Sequence, residues 1–457
     1  MAQKLPEEFQ NQMKRLLGEA GFFAYLAALE QPYTRALRIN LLLRPDGTPP
    51  CPIDGLGAPV PWAMGAYFVE GDARPGLSPL HEGGLFYMQE PSALTAVTVL
   101  DPQPNERVLD LCAAPGGKST QIAALMAGRG LLVCNEPVPS RAQILSRNVE
   151  RMGVRNAVVV SAMPDTLAPR FPAFFDRILV DAPCSGEGMF RRQPEARGEW
   201  DADSPRRCAD RQMDILEQAA KMLRPGGTMV YSTCTFNDTE NEGVLKRFLA
   251  LHPEFALEPF ALPGLPEAKD GYLHLYPHEM RGEGHFVSRL KKSADAPTAD
   301  APVRAAPKKK APARACAAKG KTPAPVALPD VFSDAFAPER LYAAGDALWM
   351  LPERLEIERL SGLRVLRTGL LLAHAEGRRS EPDHALAMAL HPEEAARTAN
   401  LTAEQALAYQ AGETLTLGDL PNGYTLLCCE GVSLGWGKQA GGMMKNHYPK
   451  GLRRRGG

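Results

Sequence analysis

The sequence predicts an α/β protein whose middle is a doubly wound, Rossmann-like parallel sheet, preceded by a small α+β module and followed by a β-rich one. Three observations predict it. Between about residues 101 and 290, short apolar strand patterns alternate with helix patterns, the order that builds βαβ units. A loop of small residues, CAAPGGK (Cys112 to Lys118), follows the first of those strands and opens a helix. Two later strands each end in a cysteine, Cys184 in DAPCSGEG and Cys234 in YSTCTFNDTEN.

Taken in order, residues 1–100 form the first unit. PEEFQNQMKRLLGEAGFFAYLAAL reads as one or two short helices, and RALRINLLL and WAMGAYFVE read as strands. GGLFYMQEPSALTAVTVL turns from strand into helix near Pro91. In residues 101–290 the strands are RVLDLC, GLLVCNE, AVVVSA, RILVDAP and TMVYSTC. The helices between them are STQIAALMAG, VPSRAQILSRNVERMG and SPRRCADRQMDILEQAAKMLRPGG, the first expected to be capped by Ser119 or Thr120. Residues 291–327 are rich in Pro, Ala and Lys without periodicity, a composition that builds no core, and read as a flexible linker. Residues 328–457 become globular again. RLEIERLSGLRVLRTGLLLAHAEG has strand character, HPEEAARTANLTAEQALAYQAG reads as two short helices, and the chain closes on a strand, a Gly-rich turn and a basic tail.

The 457 residues leave room for about three domains at roughly 150 residues each. A net charge of -1 means that the whole chain announces no polyanionic partner. Local charge does: Lys291 to Lys321 carries nine Lys and Arg against two Asp, and Lys438 to Arg455 carries six with no acid. Such runs are solvated linkers and tails, or they attract phosphate. The amphipathic start is not a secretory signal, and no apolar run approaches the 20 or so residues that span a membrane. The nine cysteines form no CxxC pair, so no metal site is expected. Reduced thiols and a cytoplasmic protein are expected instead, which makes reactive cysteine plausible.

The loop decides the ligand class by elimination. A P-loop needs GxxxxGKS, and Cys112 stands where its first Gly belongs; a GxGxxG dinucleotide fingerprint is absent. What remains is the loop of a fold that binds S-adenosylmethionine. Glu136, ending the next strand, is then expected to grip the ribose hydroxyls, and Asp165, in SAMPD after the third, to face the adenine. Asp181, just before Cys184, is placed to stabilise a protonated pyrimidine. The thiols fit an electron-poor carbon. Carbon 5 of cytosine accepts no methyl group unaided, but a thiolate added to carbon 6 turns the ring into an enamine that does. Cysteine both attacks and leaves well. The base must leave its stack to reach the thiol.

CAAPGGK, DAPCSGEG and YSTCTFNDTEN, in this order and at these spacings, resemble the Nop/Sun-type family of RNA cytosine-5 methyltransferases. The resemblance implies Cys234 as nucleophile and Cys184 in product release. The swap of the two roles, as in DNA cytosine methyltransferases, is the mechanistic alternative. It also implies cofactor contacts at Cys112, Ala113, Ala114, Pro115, Gly116, Gly117, Lys118, Glu136, Asp165 and Asp181. RALRIN and YMQEPSALTAVTVL look like that family's amino-terminal RNA-contacting module. GWGKQAGGMMKNHYPKGLRR looks like the PUA-like, RNA-binding C-terminal module of its bacterial branch that methylates 16S rRNA. The expectation is therefore a monomer acting on 16S rRNA within the 30S subunit, with no DNA and no membrane partner. A tRNA substrate is the alternative, and a non-catalytic RNA-binding factor is the reading from a different class.

Overall fold

The computed structural model describes residues 4–297, 326–376 and 379–454. The first element is a helix, Glu7–Leu29, broken at Gly18, whose φ of 68° and ψ of 174° suit glycine alone. The expected one or two helices are thus two stretches meeting at that break. Behind it, β1 (Arg35–Ile39), β2 (Leu56–Pro59), β3 (Ala66–Val69) and β4 (Phe86–Gln89) form an antiparallel sheet in the order β2-β3-β1-β4.

The central sheet is built from β5 (Arg107–Asp110), β6 (Leu131–Asn135), β7 (Ala157–Ser161), β8 (Phe175–Asp181), β9 (Leu223–Thr233), β10 (Phe255–Leu257), β11 (Tyr272–Leu275) and β12 (His285–Lys292). Strands β5 to β9 run parallel to one another, and β12 adds antiparallel to β9. The expected helices are present as Gly117–Leu125, Pro139–Arg151 and Ser204–Met222. Both faces of the sheet are buried, so its strands read as nearly continuous apolar runs. Successive side chains enter opposite cores: Val158 and Val160 pack with Leu216 and Ala219 on one face, while Val159 packs with Leu145 and Ile122 on the other.

The C-terminal part holds two four-stranded sheets. One contains β13 (Leu341–Ala344), β14 (Ala347–Met350), β16 (Leu370–Glu376) and β17 (Arg379–Pro382); the other contains β18 (Thr398–Asn400), β19 (Gly423–Cys429), β20 (Val432–Ala440) and β21 (Met443–Asn446). Between β14 and β16, β15 (Arg364–Arg367) leaves its module and pairs antiparallel with β7 as an edge strand of the central sheet. Strand character was legible in that segment, but its long-range partner was not. Of the two helices expected after His391, only Ala403–Ala411 forms in full. The first half is a single 3-10 turn, Pro392–Glu394, followed by β18, which pairs with β19. Lys291 and Lys292, counted with the linker from sequence, complete β12, and residues 298–325 of that linker lie outside the described residues. Arg455 of the basic tail lies outside them too.

The flanking units share cores with the rest of the chain. Leu37, Ile39 and Phe86 of the N-terminal sheet pack with Tyr409, Leu427 and Leu434 of the last sheet. The first helix buries Phe9, Met13, Phe22 and Tyr25 against Phe190, Trp200 and Phe236, the segments that follow the two cysteines. Phe9 is fully buried, edge-on to Phe190 at 4.9 Å between centroids and to Trp200 at 5.9 Å. Phe9→Ala is expected to cost about 3–5 kcal/mol in the denaturant unfolding of this part of the chain. A loss below about 1 kcal/mol would mean that the helix docks without this ring.

Candidate active site

The chain runs outward from β5 through β6 to β7, then crosses back to β8 on the other side of β5. Loops leaving β5 and β8 therefore part in opposite directions, which opens a crevice beyond their carboxyl ends. A cavity of about 660 Å³ lies there. Its wall includes Cys112 after β5, Glu136 after β6, Met163 and Asp165 after β7, Asp181 and Cys184 at the end of β8, and Cys234 after β9.

The glycine-rich loop is shaped from below. Gly116 caps its helix with a φ of 112°, and a Cβ there would lie 3.2 Å from Leu145 Cδ1. The Ala114 carbonyl accepts from Arg141 at 3.1 Å and the Pro115 carbonyl from Asn148 Nδ2 at 2.9 Å. Ser119 and Thr120 do not cap the helix. Both are buried in its first turn, where Ser119 Oγ donates to Asp110 Oδ2 at 2.7 Å and Thr120 Oγ1 accepts from Arg38 at 2.9 Å. Burial gives these hydroxyls partners nearer than the helix's own N–H groups.

Lys118 turns inward, its Nζ donating to Asp181 Oδ2 at 2.8 Å, while Ser232 Oγ of β9 donates to Asp181 Oδ1 at 2.8 Å. Burial works against the Asp181 carboxylate, yet Lys118 and these donors hold its pKa below the usual carboxylate range. His285, buried with Nε2 3.7 Å from Asp181 Oδ1, is pushed down to about 3 by burial and by the Lys118 cation, and so is neutral. Glu136 is buried as well; its Oε1 accepts from the Val138 N–H at 2.9 Å and its Oε2 lies 3.4 Å from Arg141.

The two thiols meet. Cys184 Sγ lies 3.1 Å from Cys234 Sγ, and the Cys234 N–H donates to Cys184 Sγ at 3.3 Å. Both are free cysteines. The hydrogen bond with Cys234, together with burial, raises the Cys184 pKa well above its ordinary value, so Cys184 keeps its proton. Cys112 is a neutral thiol too, raised by burial and by Asp110, Asp181 and Glu136 around it.

Known proteins resemble this chain along most of its length. The family described as 16S rRNA methyltransferase RsmB/F matches residues 97–291. Three associated domains match as well: the N-terminal domain of 16S rRNA methyltransferase RsmF at 5–91, the RsmF first C-terminal domain at 329–390 and the methyltransferase RsmF PUA domain at 396–454. Ribosomal RNA small subunit methyltransferase F of Erwinia tasmaniensis is 34% identical over 99% of this chain and 97% of its own. The chain belongs to the 16S rRNA methyltransferase RsmB/F family. The protein of the same name from Klebsiella pneumoniae is also 34% identical, over 99% and 97% of the two chains. Among solved structures, a methyltransferase homolog from Pyrococcus horikoshii is 29% identical, with a TM-score of 0.53 over 63% of this chain and 95% of that one. NSun6 from the same organism, solved with SFG, shares the fold at 23% identity and a TM-score of 0.53, over 63% of this chain and 98% of that one.

Within this RsmB/F-family chain, the residues expected at the site divide into two groups. Cys112, Ala114, Glu136, Asp165, Asp181, Cys184 and Cys234 line the cavity, Asp165 at its exposed rim. Ala113, Gly116 and Gly117 are buried outside the lining, Pro115 is exposed outside it, and Lys118 acts through Asp181. Sequence reasoning missed Arg211, Asp214, Ile215 and Gln218, which reach the cavity from the helix Ser204–Met222. Their spacing puts them on one helical face, a signal that was there to read. Val138, Met163 and His285 carried no such signal. The polar run after Cys234 is mostly buried: Thr235, Asn237, Glu240 and Asn241 are at most 1% exposed because they hydrogen-bond one another and the Cys184 loop.

Asp110, beneath the loop, is pushed up to about 7 by burial, with Asp181 and Glu136 adding and Ser119 opposing. An acid whose pKa is raised on folding costs stability as pH climbs from its unfolded value, and that cost levels off above its folded value. Asp110→Asn removes the titration. The thermal midpoint of the variant relative to wild type is expected to rise between about pH 4 and about pH 7 and to stay level above. A difference that does not change with pH would show that Asp110 does not carry this titration.

Proposed function

We propose that this rRNA methyltransferase transfers the methyl group of S-adenosylmethionine to carbon 5 of a cytosine in 16S rRNA through a covalent cysteine–cytosine intermediate. Cys234 is the nucleophile and Cys184 assists release. The observation that carries the reading is the pair of free thiols 3.1 Å apart at the wall of the cavity that the glycine-rich loop opens. The residues present suit the cofactor: buried Glu136 for ribose hydroxyls, Val138, Met163 and Ile215 as apolar surface for a purine, and Asp165 at the rim for its polar edge. When bound, S-adenosylmethionine supplies an electrophilic methyl group on a sulfonium.

The chain's own residues do the rest. Cys234 Sγ adds to carbon 6 of the flipped cytosine, its thiol proton passing through water to N3 of the ring, and Asp181, ionised at neutral pH by Lys118, accepts a hydrogen bond from that N3–H, whose proton returns to water when the product forms. This moves electron density to carbon 5, which takes the methyl group. The proton on carbon 5 then leaves to water, its electron pair restores the double bond between carbons 5 and 6, and the carbon–sulfur bond breaks. Cys184, which keeps its proton, donates a hydrogen bond to the departing Cys234 thiolate. The opposite assignment would require Cys184 to lose that proton against burial. The reading extends to a monomer acting in the cytoplasm on the 30S subunit.

Tritiated methyl transfer to 30S subunits, naked 16S rRNA and tRNA, with wild type and both cysteine variants, tests the whole assignment. Cys234→Ala is expected to abolish label in 16S rRNA. Cys184→Ala is expected to leave a protein–RNA adduct that survives denaturing electrophoresis. Normal turnover by Cys234→Ala would overturn the role assignment, and label confined to tRNA would keep the chemistry and change the substrate.

A further inference from the structure

We propose that Glu187 and Glu240 are positioning residues that clasp the two thiol loops together and thereby control product release. This inference rests on the roles given to Cys234 and Cys184 above.

The clasp is reciprocal. Glu187 belongs to the Cys184 loop, yet its Oε2 accepts from the N–H groups of Phe236 and Asn237, just past Cys234, at 2.9 and 3.0 Å. Glu240 belongs to the Cys234 loop, yet its Oε2 accepts from the Ser185 N–H, just past Cys184, at 3.0 Å, and its Oε1 accepts from the Ser185 hydroxyl. Asn237 joins the two acids, its Nδ2 donating to Glu187 Oε1 at 3.1 Å and to Glu240 Oε1 at 2.7 Å. Gln12 of the first helix donates to Glu187 Oε1 at 2.9 Å, and Gln212 of the helix Ser204–Met222 donates to Glu240 Oε2 at 2.8 Å. A backbone bond from the Gly188 N–H to the Cys234 carbonyl, at 2.9 Å, closes the set.

Both acids are fully buried. Burying a carboxylate is costly unless several donors meet it, and here most of the donors come from the opposite loop. Burial raises the Glu240 pKa despite these donors, so the arrangement holds geometry at a cost in stability. The geometry it holds is the approach of Cys184 to Cys234. Addition and methyl transfer need Cys234 alone, and only release needs both sulfurs. Neither acid lines the cavity, so loosening the clasp should spare cofactor binding and fall on release.

The experiment uses the full-length enzyme with Glu240→Gln, Glu187→Gln and Ser185→Ala, beside Cys184→Ala and Cys234→Ala, on the RNA that wild type methylates. Measured are kcat, KM for RNA, S-adenosylmethionine affinity and the covalent adduct on denaturing gels. Glu240→Gln is expected to lower kcat about 100-fold, the scale of an ångström-sized misplacement, with KM changed less than about threefold and adduct accumulating as in Cys184→Ala. Adding Glu240→Gln to Cys184→Ala should cost little more, since both damage one step. Ser185→Ala cuts only hydroxyl bonds and so keeps the test open if the glutamine variants fail to fold; it is expected to give the same adduct at a smaller rate loss. If Cys184→Ala traps adduct while Ser185→Ala and a folded Glu240→Gln do not, the clasp is overturned and the cysteine roles stand. If Cys184→Ala traps none, the cysteine roles fail and the clasp falls with them.

Discussion

The ion pair between Lys118 and Asp181 is the interaction on which the site depends. It crosses the switch point of the sheet, joining the helix that follows the glycine-rich loop after β5 to the end of β8, and Ser232 ties the same carboxylate to β9. Three neighbouring strand ends are thereby referred to one another at fixed distance. The pair is half-buried, so removing either partner leaves the other's charge poorly compensated. The pair also tunes the local electrostatics: the Lys118 cation adds to the burial that keeps His285 neutral, and the Asp181 anion adds to the burial that raises the pKa values of Cys112 and Asp110. Asp181 is thus held as a carboxylate at the cavity wall, beside the Cys112 and Cys184 thiols, whose pKa values are raised.

That setting separates the two sulfurs. They follow adjacent parallel strands, Cys184 three residues past Asp181 and Cys234 two residues past Ser232, the partner of Asp181 in the ladder. What distinguishes them is the loop that each enters. The Cys184 sulfur lies 3.1 Å from the Cys234 sulfur, and that contact together with burial raises its pKa well above the ordinary thiol value. A polar network that faces inward rather than to solvent then holds both loops, and its donors arrive from the first helix and from the helix Ser204–Met222.

The terminal units are consequently part of the machinery. The first helix packs its aromatic face on the segments that follow both cysteines, and the N-terminal sheet shares its core with the last sheet of the chain. Arg155 pairs with Glu394, and Arg367 with Glu150, across the junction between the central domain and the C-terminal part. With β15 added to the edge of the central sheet, the C-terminal part is tied to the central domain by backbone pairing as well.

Much of this was legible in the sequence by itself. The alternation of buried runs such as AVVVS with amphipathic helices determined the parallel sheet, because strands covered on both faces and helices covered on one leave different periodicities. The loop and the two cysteine motifs marked the ends of β5, β8 and β9, because a parallel sheet sends all such ends to one side. Tertiary structure alone decided that β15 joins β7, that Ser119 and Thr120 turn inward, that His285 reaches Asp181, and that Glu187 and Glu240 exchange loops. Periodicity records how a segment meets solvent and core, a property local to that segment. Which buried acid meets which N–H group depends on segments far apart in the chain, and no local pattern encodes that pairing.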